Sequence, residues 1–272
     1  MKTTALNPIA DPQLFPAYAG EFNTPASRHT IDALVQWTEH EFRDDLARRP
    51  SKHVYVRRLP ETIVAQIDVL RDSPVIHAAI LRQFPPGHVL TPMKHTDELY
   101  LSHYNKDFGG DHGLYAKHYD GNLRFISSCA VVRALIYLQS DATYTVVFGD
   151  SQLSHPFVTY EFALLDFHRE LHWVEGTYDS SSPSRILLKC NYFIAPSKQA
   201  WRQKAILATN TSVFYIVKAA MEYAKSPRNP LQFGIGLLCN LFRKLNNAHP
   251  YLPLAAAALL IGGAVSTVAC LI

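Results

Sequence analysis

From Glu98 onward the sequence breaks into apolar runs of five to eleven residues, at 98–104, 133–138, 144–148, 157–167 and 186–194. Runs this short, rich in Val, Ile, Leu, Phe and Tyr, suit strands, whereas a helix in a globular domain usually needs ten residues or more. Clusters of Gly, Asn, Asp, Ser and Pro at 105–113, 149–156 and 177–184 separate them and read as turns or loops. Upstream the spacing is different. Ile31, Leu34, Val35, Phe42 and Leu46 recur at a helical period, with Thr30 as the expected cap, and a second helical stretch covers 61–84 with a break at Pro74. Helices first and strands afterwards predict an α+β layout, the helices backing one face of a β-sandwich or barrel.

The charges divide the chain at about the same place as the pattern ends. Residues 1–197 hold 18 Lys and Arg against 22 Asp and Glu, whereas residues 198–272 hold 8 against the single acid Glu222. The overall +3 therefore hides an acidic part and a basic part. Four scattered cysteines, Cys129, Cys190, Cys239 and Cys270, form no CxxC pair, so neither a disulfide framework nor a Cys-ligated zinc site is indicated. Residues 1–29, with four prolines and no long apolar run, read as an irregular leader. A helix is expected again over 200–224, with Pro227 and Pro230 marking a joint.

The chemistry-bearing residues lie among the strands. In His118-Tyr119-Asp120 an imidazole and a carboxylate stand two residues apart, and in an extended strand residues i and i+2 share a face. A third ligand must come from a neighbouring strand, and His172 is the best placed. Two His and one carboxylate on one face of an octahedral ion leave three positions open, as in non-haem Fe(II) oxygenases. The motif alone is weak: with 13 histidines and about one residue in twenty Asp, roughly one accidental HxD is expected, and His95-Thr96-Asp97 is a second. Context favours His118 and Asp120, which follow a glycine-rich turn and lead into strands, while His95 lies beside Pro92 where a connection is expected. His155 and His168 are rivals for the third ligand, but only His172 is followed by Trp-Val.

These residues also carry a resemblance. The stretches LYLSHYNKDFGGDHGLYAKHYDGN (99–122), RALIYL (133–138), ALLDFHRELHWVEG (163–176) and SRILLKCNYF (184–193) resemble, in order and approximate spacing, the core of the Fe(II)/2-oxoglutarate-dependent dioxygenases, above all the prolyl-hydroxylase branch. The resemblance implies a double-stranded β-helix (jelly-roll) core at 30–196, with His118, Asp120 and His172 as iron ligands. Arg185 and Tyr137 would hold the distal carboxylate of 2-oxoglutarate, with Tyr104 lining the same pocket. Lys189, on the same strand face as Arg185, is the rival cation. The implied activity is hydroxylation of a C–H of a protein (prolyl-type) or small-molecule substrate by O2, with release of succinate and CO2 and with ascorbate as a supporting reductant. A non-catalytic, membrane-tethered binding or scaffold protein of the same fold is the alternative. The sequence departs from the family in its long His172-to-Arg185 interval and in lacking a Gly-Gly pair near Val147-Phe148-Gly149-Asp150.

The basic end carries one more expectation. Residues 252–272 form an uncharged apolar run of 21 residues, and crossing a bilayer takes about 20. Preceded by Lys218, Lys225, Arg228, Arg243 and Lys244, this run reads as a transmembrane anchor with the folded domain on the cytoplasmic side. Residues 197–250 read as a basic helical juxtamembrane segment, within which 231–245 has the pattern of an interfacial amphipathic helix. No nucleic-acid-reading motif accompanies the basic residues, so nucleic acid is not expected as a partner.

Overall fold

The computed structural model describes residues 15–48, 51–102, 117–121, 130–176, 184–224 and 228–248. Helices α1 (Pro25–Glu41), α2 (Arg43–Arg48), α3 (Glu61–Arg71) and α4 (Pro74–Leu81) precede most of the strands. The α3–α4 break falls at Pro74, which occupies the first turn of α4, where its missing N–H costs nothing. The beginning of the chain corrects two expectations. The cap of α1 is Thr24, whose Oγ1 accepts from Ser27 N–H (3.2 Å) ahead of Pro25, while Thr30 sits inside the helix and donates to Ala26 O (3.0 Å). Nor is 1–29 wholly an irregular leader, because β1 (Tyr18–Glu21) pairs with β8 (Glu161–Asp166). Gly20 permits that pairing: a Cβ there would overlap the Phe162 ring.

Among the described residues all strand pairing is antiparallel. Further strands are β2 (Ser51–Tyr55), β3 (His88–Pro92), β4 (Glu98–Ser102), β5 (Ala130–Gln139), β6 (Tyr144–Phe148), β7 (Leu153–His155), β9 (His172–Gly176) and β10 (Arg185–Pro196). The large sheet has the order β1-β8-β5-β10-β4-β2, with β3 also pairing β10, and a small sheet has the order β7-β6-β9. β10 lies against β5 along one edge, while β4 and then β3 share its other edge.

Alternation divides the large sheet into two faces. On β10, Ile186, Leu188, Cys190, Tyr192 and Ile194 join a core with Ile31, Leu34, Ile63, Ile67, Leu70, Ile76 and Ile80 of the helices. On β5, Val132, Ala134, Ile136 and Leu138 do the same. The opposite face carries Tyr100, Leu135, Tyr137, Ala163, Leu165 and Leu187, packed against Tyr144, Val146, Phe148 and Val174 of the small sheet. Helices thus back one face of the large sheet and a second sheet covers the other, an antiparallel α+β arrangement.

After β10 come α5 (Ala200–Ala224) and α6 (Pro230–Ala248). Among the described residues no helix is long and apolar enough to cross a membrane. The expected transmembrane run 252–272 lies outside the described residues, as does the expected pocket residue Tyr104.

Candidate metal centre

The covered face of the large sheet brings the expected ligands together. His118 and His172 exchange backbone hydrogen bonds in both directions, His118 N–H to His172 O (3.1 Å) and His172 N–H to His118 O (3.0 Å). This bridge sets the two imidazoles side by side, ring centroids 4.4 Å apart. His118 Nε2 lies 3.7 Å from Asp120 Oδ1, and His172 Nε2 lies 3.6 Å from Asp120 Oδ2. One donor atom from each of the three falls within 4.8 Å of the others, and among the described residues no other such group of three includes a histidine, cysteine or carboxylate. His172 is the first residue of β9 in the small sheet, an element not expected from the sequence, whereas the apolar run ending at Phe167 forms β8 of the large sheet.

The protonation states suit ligation. His172 is buried, and burial pushes its imidazole down to about 4 despite the nearby Asp120 charge, so the ring is neutral at neutral pH. Its Nδ1 faces Glu170 O at 3.2 Å, which assigns the proton to Nδ1 and leaves Nε2 as the free donor. Burial opposes ionisation of Asp120, but Arg133 first, then His172, Lys189 and His118, hold its carboxyl well below the ordinary range. Asp120 is therefore an anionic oxygen donor beside two imidazoles, a hard and borderline set suited to a divalent first-row metal.

A buried chain of polar residues fixes Asp120. Arg133 Nη1 donates to Asp120 Oδ2 (2.6 Å) and Arg133 Nε donates to Asn191 Oδ1 (3.0 Å), with the guanidinium 4.3 Å from the Phe167 ring centre. Asn191 Nδ2 donates to Thr96 Oγ1 (3.0 Å), and the Asn191 N–H donates to Asp97 Oδ1 (3.1 Å). Asp97 in turn accepts from Arg71 Nη1 at 2.9 Å. The second HxD is thus absorbed structurally: Asp97 anchors this chain, and His95 Nε2 meets Thr211 Oγ1 at 3.0 Å. Arg133 and Asn191 were not among the expected site residues. The available signal was a charged residue inside the apolar run AVVRALIYL, which needs a partner once buried.

The rival histidines go elsewhere. His155 Nε2 lies 3.1 Å from Glu161 Oε2. His168 is buried against Phe167 in the turn after β8, where Gly121 approaches so closely that a Cβ would overlap its ring. Gly121 N–H donates to Phe167 O (2.8 Å), pinning the short segment that carries Asp120.

Further along the same face, Arg185 is 3% exposed, yet among the described residues its Nε and Nη1 have no hydrogen-bond partner. Its guanidinium carbon lies 5.5 Å from the Tyr137 ring centre and 5.6 Å from that of Tyr144. Among the described residues no carboxylate forms an ion pair with it. The buried Tyr137 hydroxyl likewise meets no acceptor among the described residues, and burial pushes it up to about 12 against the pull of the nearby Arg185, so it stays protonated. A buried cation and a buried hydroxyl awaiting an acceptor fit an anionic, carboxylate-bearing molecule. Tyr137 stacks on Phe157 (4.6 Å), which meets Phe148 edge-on, and Phe148 lies 6.3 Å from His172, so one aromatic layer joins this pocket to the ligands. Lys189 sits over the Tyr100 ring (4.7 Å), and its charge acts on Asp120.

No protein-family model matches the chain, and no curated relative matches it in sequence. Solved structures that resemble it in fold are distant in sequence. A prolyl 4-hydroxylase from Phytophthora capsici is 14% identical, covering 88% of this chain and 82% of that chain, with a TM-score of 0.45. A prolyl-4-hydroxylase from Pseudomonas putida is 15% identical, covering 65% of this chain and 91% of its own, with a TM-score of 0.40. The epimerase SnoN, solved with Fe3+, alpha ketoglutarate and nogalamycin RO, is 13% identical, covering 68% and 84%, with a TM-score of 0.46. At such distances chemistry is assigned by the side chains of the site alone.

Proposed function

We propose that the chain is an Fe(II)- and 2-oxoglutarate-dependent oxygenase built on a double-stranded β-helix. The observation that carries this reading is the convergence of His118, Asp120 and His172, whose donor atoms lie within 4.8 Å of one another. Arg185 on the same covered face, whose Nε and Nη1 meet no acceptor among the described residues, supports it. His118 Nε2, His172 Nε2 and an Asp120 oxygen would hold iron, and bound iron supplies activation of O2 coupled to oxidative decarboxylation of 2-oxoglutarate. In balance, a substrate C–H, O2 and 2-oxoglutarate become C–OH, succinate and CO2.

The residues of this chain contribute charge, orientation and exclusion of water. Arg185 and the Tyr137 hydroxyl together hold the distal carboxylate of the cosubstrate by a charge-assisted and a neutral hydrogen bond. Arg133, itself oriented by Asn191, keeps the Asp120 carboxylate ionised and in one rotamer. Glu170 O retains the proton on His172 Nδ1. Phe148, Phe157 and Tyr144 line a dry layer between the sheets, so polar groups there act in a low dielectric. The substrate is a prolyl or other side chain of a protein, or a small molecule.

The test uses purified protein with Fe(II), ascorbate and 2-oxoglutarate, assayed for succinate with and without candidate substrates, beside a titration of Mn(II) as an inert stand-in. Succinate release that His172→Ala abolishes, together with Mn(II) binding that His172→Ala weakens, supports the oxygenase reading. Mn(II) binding without succinate under any condition leaves a metal-binding scaffold, and absence of both overturns the metal centre itself.

A further inference from the structure

The helical arm is fastened to the domain through α5, and α6 leaves one side open. Tyr215 of α5 accepts from Arg57 Nη1 (2.8 Å) and donates to His95 O (2.7 Å), close to the contact between His95 and Thr211. α6 packs back on α5, with Gln232, Ile235, Gly236 and Cys239 half-buried. The other side is apolar and uncovered: Leu231 is 65% exposed, Phe233 58%, Leu237 56%, Leu238 56% and Leu241 52%. At 3.6 residues per turn these five fall within an arc of roughly 160° on one face. Scattered exposed leucines are ordinary on a soluble protein, but five on one face of a single helix form a contiguous patch of the kind that marks an interaction surface.

The chemistry around the patch says what covers it. From Lys225 to Ala248 the chain carries Lys225, Arg228, Arg243 and Lys244 and no acid. Arg228 and Lys244, at the two ends of the helix, are exposed. Four residues past α6 the sequence enters the uncharged apolar run 252–272. A protein groove would accommodate the leucines but would give no reason for basic, acid-free ends followed by 21 uncharged residues. An anionic bilayer surface accounts for all three, since apolar side chains enter the acyl boundary while Lys and Arg meet headgroup phosphates.

We propose that α6 lies flat on an anionic bilayer, with Leu231, Leu237, Leu238 and Leu241 in the acyl boundary and Arg228 and Lys244 at the phosphates. The domain is thereby held at the membrane surface through α5. This proposal is independent of the oxygenase reading, and its test does not involve activity.

The full chain is produced in the presence of phosphatidylcholine vesicles or vesicles that also contain phosphatidylserine, floated, and followed by hydrogen exchange. Expected is about tenfold slower exchange of the 230–248 amides on the phosphatidylserine vesicles than on phosphatidylcholine alone. Leu237→Gln with Leu241→Gln should remove that slowing and leave the exchange pattern of the sheets unchanged, because both side chains are exposed. Equal exchange of α6 on the two vesicle types overturns the proposal. So does slowing that survives the double substitution in a chain that still floats, which would assign attachment to 252–272 alone. Slow exchange of α6 without vesicles, accompanied by a dimeric mass in light scattering, overturns it in favour of self-association.

Discussion

Replacing Arg185 by methionine separates the cost of a buried charge from the gain of binding its ligand. Arg185 is 3% exposed, and among the described residues its Nε and Nη1 have no acceptor. A buried charge left uncompensated costs about 3–5 kcal/mol. The Tyr137 and Tyr144 rings beside it return about 1–2 kcal/mol through cation–π attraction, leaving a net penalty of roughly 2–3 kcal/mol in the ligand-free protein. Methionine is of similar reach, flexible and uncharged, so it fills the slot without that penalty. At about 2–4 °C per kcal/mol for a domain of this size, the ligand-free variant should melt roughly 5–10 °C above wild type. With 2-oxoglutarate the order reverses in response: the wild type gains about 2.7 kcal/mol at ~100 times Kd, while the variant gains nothing. The assay is thermal unfolding by circular dichroism with Mn(II) present, with and without 2-oxoglutarate. A variant that melts below wild type without ligand, or that keeps the ligand-induced rise, would refute the assignment of Arg185 as an anion site held ready at a cost in stability.

Tyr137→Phe removes a buried hydroxyl that has no hydrogen-bond partner among the described residues, so stability should rise by about 1 kcal/mol while Kd for 2-oxoglutarate rises about tenfold, the loss of one hydrogen bond to a charged group; calorimetric titration showing an unchanged Kd excludes the role. Asn191→Leu leaves Arg133 Nε without its acceptor and should weaken Mn(II) binding about tenfold, with the midpoint in urea lowered but the transition still cooperative; unaltered metal affinity means that Arg133 holds Asp120 unaided. Asp166 is buried, which raises its carboxyl to about 6 despite Arg169 and the N–H groups of His168 and Arg169. The unfolded chain loses that proton near pH 3.9, so the folded state binds more protons in between. Its contribution is complete below about pH 4 and is lost as pH rises through 6, by roughly 2–3 kcal/mol. Asp166→Asn should therefore flatten stability against pH across that window in urea titrations, and an equally steep profile would show that another group is responsible. Gly121→Ala should displace the segment bearing Asp120, since a Cβ overlaps the His168 ring, lowering stability by about 1–3 kcal/mol together with metal affinity; a neutral effect on both would contradict the close approach.

The long helices and the central strands were legible because their apolar spacing is sufficient by itself: β6 spans 144–148 and α5 spans 200–224 as the pattern predicts. The choice of His118 over His95 was legible from context, and the fold explains it by giving Asp97 to Arg71 and Asn191. β1, β2 and β9 were not legible. YAGE, SKHVY and HWVEG are short and mixed in polarity, and they become strands because β8, β4 and β6 offer them an edge. The start of α1 was misjudged because prolines suggested a leader, whereas Pro25 after Thr24 is itself a helix-start signal. The chain from Asp97 to Asp120 was beyond reach for a different reason. It depends on Asn191 lying opposite Arg133, a register between strands far apart in sequence that no local pattern encodes.

The two-faced alternation of β10 sets the terms on which this protein can change. Odd positions hold Arg185, Lys189 and Asn191 toward the metal centre, and even positions bury Ile186, Leu188, Cys190 and Tyr192 under the helices. A single inserted or deleted residue upstream within the strand would exchange these sets, sending three polar groups into the helix-side core and four core residues into the pocket. Folding and chemistry would fail together. Residues can therefore be added or removed in the loops at the ends of β10, while the phase of the strand itself has to be kept.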